Sequence, residues 1–196
     1  MPTSTPSRIL DGALLSFGTR GYDGTSLDSL AGSVGLSKQT ILHHFGSKEG
    51  LLDALLDRSA TELSITLEDA LSQAGPGFER VEALVRAVFR LAARRPELLG
   101  LLREVSRLGP PAAARLTEAL EPFVERARVF LEAEMARGAM RPQDSRLLIL
   151  SAYSTVIGVA TEVEVLRAVG IEPTARSLLR RRNELLAFLR SALIPD

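Results

Sequence analysis

Residues 25–45 read TSLDSLAGSVGLSKQTILHHF, from Thr25 to Phe45. Thr25 or Ser26 can cap a helix, because a hydroxyl at that position accepts from the free backbone N–H groups of the first turn. Asp28 falls in the same turn, where the helix dipole favours a carboxylate. Leu27, Leu30, Ala31 and Val34 recur at i, i+3, i+4 and i+7 and form one apolar face, and the small residues Ala31 and Gly32 allow a close helix approach. Gly35 supplies the left-handed conformation that ends this helix and turns the chain. Leu36 plugs the corner. Ser37 caps a second short helix whose inward face is Ile41 and Phe45. The spacing predicts a helix-turn-helix over about residues 26–45.

The second helix leaves Lys38, Gln39, Thr40, Leu42, His43 and His44 facing outward. Most of these are hydrogen-bond donors gathered near a helix N-terminus, where backbone N–H groups also receive a phosphate. Gln39 has the geometry to pair with adenine, and Lys38 reaches guanine or phosphate. Ser47, Lys48 and Glu49 open the next helix and put Lys48 beside a second phosphate-binding N-terminus.

Working outward, apolar residues recur at helical spacing almost everywhere, and no convincing strand pattern appears. Gly75-Pro76-Gly77, Gly109-Pro110-Pro111, Gly138 and Gly170 punctuate the runs. The pattern predicts nine helices: 5–20, 26–34, 38–44, 48–73, 78–94, 96–106, 111–137 with a kink or break near Pro122, 144–168 and 174–193. The fold class is all-α. The first three helices are short and the rest long, which places a domain boundary near residue 50: an N-terminal domain over 1–50 and a larger helical domain over 51–196.

Composition narrows the function. There are no cysteines among 196 residues, so disulfides, thiolate metal sites and cysteine nucleophiles are excluded. The two histidines, His43 and His44, are neighbours on a helix, point about 100° apart and have no third ligand nearby, so no metal site and no cofactor is expected. Acid–base catalysis has thin resources, and no catalytic residues are assigned. Gly75-Pro76-Gly77 starts like a dinucleotide loop but lacks the third glycine and a preceding strand. The longest uncharged stretch, 147–161, is too short and polar to span a bilayer. No targeting segment is evident at the N-terminus, and a cytoplasmic location is the expectation. Charges balance at 24 basic and 24 acidic, and residues 1–52 hold four of each (Arg8, Arg20, Lys38, Lys48 against Asp11, Asp23, Asp28, Glu49). Any attraction for nucleic acid is therefore local, and the salt dependence of binding is expected to be shallow.

Residues 9–56 resemble the DNA-binding domain of the TetR family of bacterial repressors. The markers are the amphipathic first helix, Phe17 with Gly21-Tyr22, Thr25-Ser26, Leu30-Ala31, Val34-Gly35-Leu36-Ser37, Thr40, His44-Phe45 and Lys48-Glu49. The resemblance implies a non-enzymatic regulator: a homodimer whose two recognition helices enter successive major grooves of a roughly palindromic double-stranded DNA operator, with half-sites about 34–36 Å apart. It implies release of DNA when a small molecule binds the larger domain. Ser26, Ser37, Lys38, Gln39, Thr40, Leu42, His43, His44 and Lys48 are the DNA-contacting candidates. Leu42 stands where the family usually has a tyrosine whose hydroxyl donates to a phosphate.

In the larger domain, 147–163 is apolar around most of its circumference with small residues interspersed, and the last helix adds Leu178, Leu179, Leu185, Leu186, Leu189 and Leu193. Two such helices from each subunit make a four-helix dimer interface, in keeping with a mean hydropathy of +0.11. The polar residues Arg86, Arg90, Arg103, Glu104, Tyr153 and Thr155 interrupt apolar helices and are the candidates for a pocket, whose ligand is expected to be mainly apolar. Arg180-Arg181-Arg182 reads as the solvated side of the last helix. An alternative to the ligand-responsive repressor is a DNA-bound scaffold controlled by a protein partner.

Overall fold

The computed structural model describes residues 4–195, and among these ten helices and no strand occur. They are α1 (Thr5–Arg20), α2 (Leu27–Ser33), α3 (Lys38–Phe45), α4 (Lys48–Ser72), α5 (Phe78–Arg94), α6 (Pro96–Leu108), α7 (Ala112–Ala136), α8 (Ser145–Thr161), α9 (Val163–Ala168) and α10 (Ala175–Leu193). The chain forms two compact units. The first is 1–63 with 96–120, and the second is 64–95 with 121–196. No helix is long and apolar enough to cross a membrane among the described residues.

In the first unit α1 packs on α2 and along α6, and α2 packs on α3. The core is Ile9, Leu14, Phe17, Leu30, Ile41, Leu51, Leu55, Leu98, Leu99 and Leu101, each almost wholly buried. Burying each such side chain is worth about 1.5–3 kcal/mol. Two glycines set the spacing of α1 and α6: a methyl on Gly18 would fall 2.2 Å from the Glu97 carbonyl oxygen, and one on Gly100 would fall 2.1 Å from that of Gly18. The helices therefore meet backbone to backbone. Where α1 meets α2 the small residue in use is Gly12, whose added methyl would strike Val34 at 2.2 Å, whereas Gly32 has open space around it. The close approach expected of Gly32 is thus supplied from the other helix.

Ion pairs tie the later helices of this unit to the earlier ones. The Arg115 guanidinium grips both carboxylate oxygens of Asp57 at 2.9 and 2.8 Å and lies 3.3 Å from Asp53, joining the first turns of α7 to α4. That hydrogen-bonding fork holds the Asp57 carboxyl below the usual carboxylate range. Arg58 of α4 reaches Asp11 of α1 at 2.8 Å.

In the second unit α5, α8 and α10 close on one another around Phe78, Val85, Phe89, Val156, Ala160, Leu185, Leu186 and Leu189. Helix α7 runs unbroken through Pro122. The single helix expected over 144–168 is instead two, α8 and α9, parted at Glu162. The break frees carbonyls at the end of α8, and the Arg181 guanidinium donates to one of them, that of Val159. Arg181 is therefore buried rather than part of a solvated arginine run. Burial pushes its pKa down, and its Nε has no partner among the described residues.

Candidate nucleic-acid interface

The helix-turn-helix is built by local hydrogen bonds. The Ser26 side chain, not that of Thr25, caps α2, accepting from the Ser29 N–H at 3.1 Å. Thr25 is buried and donates to the carbonyl of Gly21 at 2.9 Å, which fastens the loop after α1. Gly35 takes φ +63°, and the Leu36 N–H returns to the Ala31 carbonyl at 3.0 Å. The Ser37 hydroxyl accepts from the Thr40 N–H at 3.1 Å and pairs with the Thr40 hydroxyl at 2.9 Å. Gly46, at φ +75°, ends α3.

With Ile41 fully buried, the opposite face of α3 is set. Ser37, Lys38, Gln39, His43 and His44 are exposed, Thr40 and Leu42 half-buried. Ser26 is exposed at the start of α2, and Lys48 is half-buried as the first residue of α4. Gln39 and His43 make no hydrogen bond to the described residues, so their polar atoms are open to solvent. The rings of His43 and His44 stand edge to face with centroids 5.3 Å apart.

Two relationships had no local signature in the sequence. Lys38 pairs with Asp28 across the turn at 2.9 Å, so the residue that complements the dipole of α2 also neutralises the first lysine of α3. Lys48 lies over the Tyr22 ring, its ammonium 4.1 Å from the centroid. The Tyr22 hydroxyl donates to Glu49 at 3.2 Å. Burial, then the Glu49 carboxylate, pushes the Tyr22 phenol up to about 12. Glu49 in turn is held below the ordinary carboxylate range by its own backbone N–H, then by Ser47 and Tyr22.

The six candidate pocket residues are divided between the two units. Arg103 and Glu104 lie on α6 in the first unit, and Arg86, Arg90, Tyr153 and Thr155 lie on α5 and α8 in the second. Glu104 is engaged within its own unit: it accepts from the Tyr22 backbone N–H at 2.6 Å and from two Arg107 nitrogens at 2.8 Å each. Arg86 is 3.8 Å from Glu82, while Arg90, Arg103 and Tyr153 are exposed. A cavity of about 240 Å³ at the α9–α10 turn is lined by Ile171, Thr174, Arg176 and Ser177 among others, and by none of the six. No cluster of metal-ligating side chains occurs among the described residues. At the glycine loop before α5 the Glu79 carboxylate lies 2.1 Å from where a methyl on Gly75 would fall.

A capped helix presenting donors from one face, joined by a tight turn to the helix before it and with a lysine at the next helix N-terminus, is a helix-turn-helix. Residues 9–55 match the bacterial regulatory proteins of the tetR family. The HTH-type transcriptional repressor AcnR of Corynebacterium efficiens is 28% identical over 155 residues, covering 78% of this chain and 77% of AcnR. Two solved structures share the fold. The ketosteroid transcriptional regulator KstR2 of Mycobacterium tuberculosis has a TM-score of 0.78 at 20% identity, over 100% of this chain and 98% of its own. The transcriptional regulator FadR of Bacillus subtilis, solved in complex with stearoyl-CoA, has a TM-score of 0.78 at 19% identity, over 94% of this chain and 97% of its own. Residues 9–55 thus match the DNA-binding domain of the tetR family, and over most of its length the chain is similar to a repressor of that kind.

Proposed function

We propose that the protein is a homodimeric repressor that reads a roughly palindromic operator through α3 and is released by a small, mainly apolar effector. The observation that carries this reading is the exposed row on α3: the Ser37 cap and the buried Ile41 leave Lys38, Gln39 and His43 exposed, with Thr40 half-buried beside them. In this reading Ser26, Ser37, Thr40, His44 and Lys48 position the protein on phosphates, while Gln39 and His43 read base edges and Leu42 meets a thymine methyl or the backbone. Residues 1–50 read DNA, and residues 51–196 hold the effector and dimerise. Charge supports a modest electrostatic footprint, since Lys38 is already paired with Asp28.

Dimerisation is assigned to α8 and α10. Leu147 and Leu150 of α8 and Leu179 and Phe188 of α10 are large apolar side chains more than half exposed, and a methyl on Gly158 would meet open space. Removing four such side chains from water favours a second copy of the same surface. Effector control is supported by FadR, whose solved complex holds stearoyl-CoA.

The test is fluorescence anisotropy on DNA from upstream of the protein's own gene, at two salt concentrations, beside Thr40→Ala and Lys48→Ala. Saturable nanomolar binding that both variants lose supports the reading. Binding that is weak, collapses with salt and is unaffected by either variant overturns it. Release of that DNA by a protein and by no small molecule would move control to a partner.

A further inference from the structure

We propose that Tyr22 and Glu104 are positioning residues for DNA binding: the Tyr22 ring, anchored to α6 by Glu104, holds the Lys48 ammonium in place at the start of α4. The inference rests on the reading of Lys48 as a phosphate contact.

A lysine at the first position of a helix has no local reason to stay there. The positive end of the helix dipole disfavours a cation, and a four-carbon stem has many rotamers to lose when it meets a phosphate. Tyr22 counters both. The negative face of its ring attracts the ammonium from 4.1 Å. A cation against a ring keeps N–H donors directed away from the ring, so this contact leaves donors for a phosphate oxygen, unlike the carboxylate pairing of Lys38. Among the described residues Lys48 forms no ion pair.

The ring itself is fixed from three sides. Phe17 of α1 meets it edge to face with centroids 5.3 Å apart. Its hydroxyl donates to Glu49, one residue beyond Lys48. Its backbone N–H donates to Glu104 of α6 at 2.6 Å. Arg107, one turn on, bridges Glu104 to Asp23 at 2.9 Å, so α6 holds the loop at two successive residues. A Cβ on Gly21 would stand 3.0 Å from the Glu104 carboxylate, and only glycine suits its φ of +80°. The route from α6 to the ammonium thus passes through Glu104, the amide of Tyr22 and its ring. Pre-ordering the side chain lowers the entropy lost on binding DNA.

The experiment measures binding of the full chain to a labelled 30-base-pair duplex of random sequence across a salt series, since a phosphate contact contributes to non-specific binding as well. Phenylalanine, then phenylalanines carrying one, two and three ring fluorines, replace Tyr22, in the natural and the Lys48→Ala backgrounds. Fluorine withdraws the negative charge of the ring face with little change of shape. Lys48→Ala is expected to weaken binding and to flatten the slope of log Kd against log salt by about one per reading head. Tyr22→Phe, which loses only the bond to Glu49, sets the baseline of the series, and affinity should fall stepwise from it with fluorine to a loss of about two- to five-fold per head. In Lys48→Ala the fluorine series should be flat. Glu104→Ala should weaken binding in the natural background and add nothing to Lys48→Ala.

A flat series beside a damaging Lys48→Ala overturns the inference and leaves the phosphate contact standing. A series that falls equally in both backgrounds also overturns it, because the ring then acts elsewhere. An Lys48→Ala variant with unchanged affinity and slope overturns the reading of α4 and the inference with it.

Discussion

Gly18 of α1 and Gly100 of α6 touch backbone to backbone: a methyl on Gly100 would stand 2.1 Å from the Gly18 carbonyl oxygen. The contact joins α6 to α1 across 82 residues of sequence, within the same compact unit as α3. Gly100→Ala is expected to force the two helices apart at a cost of about 1–3 kcal/mol. Thermal melting should show a loss of about 2–4 °C for each kcal/mol. A variant that melts with the natural protein would show that the crossing relaxes freely.

Lys38 and Asp28 pair at 2.9 Å with both side chains largely exposed. Asp28→Asn should cost little stability, because an exposed pair is worth about 0–1 kcal/mol. It should tighten DNA binding about two- to five-fold, since a carboxylate near the phosphates is removed and Lys38 is released. The salt slope should steepen. Titration of a labelled duplex checks both, and weaker binding would mean that the pair orders Lys38 for contact.

Leu42→Tyr places a phenolic hydroxyl on α3 beside Ile41 and His43. One added phosphate hydrogen bond is worth about 0.5–1.5 kcal/mol, so affinity should rise with no change in preferred sequence. Selection from random DNA by both proteins is the measurement. A changed consensus would make Leu42 a reader of bases.

Leu150 of α8 is 58% exposed. Leu150→Glu should leave the melting of each chain almost unchanged, because the side chain already meets water, yet halve the mass seen by sedimentation and abolish tight operator binding. Unchanged mass would remove α8 from the interface.

The Glu104 carboxyl lies below the usual carboxylate range, through its bonds from Arg107 and then from the Tyr22 amide. A depressed folded value means that its stabilisation is fully present above the unfolded value of about 4.3 and is lost as pH falls through the folded value. Melting of the natural protein and Glu104→Gln should differ at pH 7 and converge in acid below the ordinary carboxylate range. A gap that persists in strong acid would assign the effect to packing.

Much of this was legible in the chain because it is local. The Ser26 and Ser37 caps, the Gly35 turn and the spacing of Leu30, Ala31 and Ile41 act within a few residues of themselves, so the helix-turn-helix and the helical class followed from periodicity and capping alone. Tertiary structure decided the rest. Nothing near Glu104 announces a bond to an amide 82 positions away, and it read as a polar interruption suited to a pocket. Arg181 read as one of three solvated arginines until the break at Glu162 gave it a carbonyl to hold. The spacing singles out Gly32 for the close approach of α1 and α2, yet Gly12 is the glycine that lies against Val34. Helix periodicity reports which face of a segment avoids water, whereas the partner that covers that face is chosen by chain closure over long separations, which leaves no periodic mark.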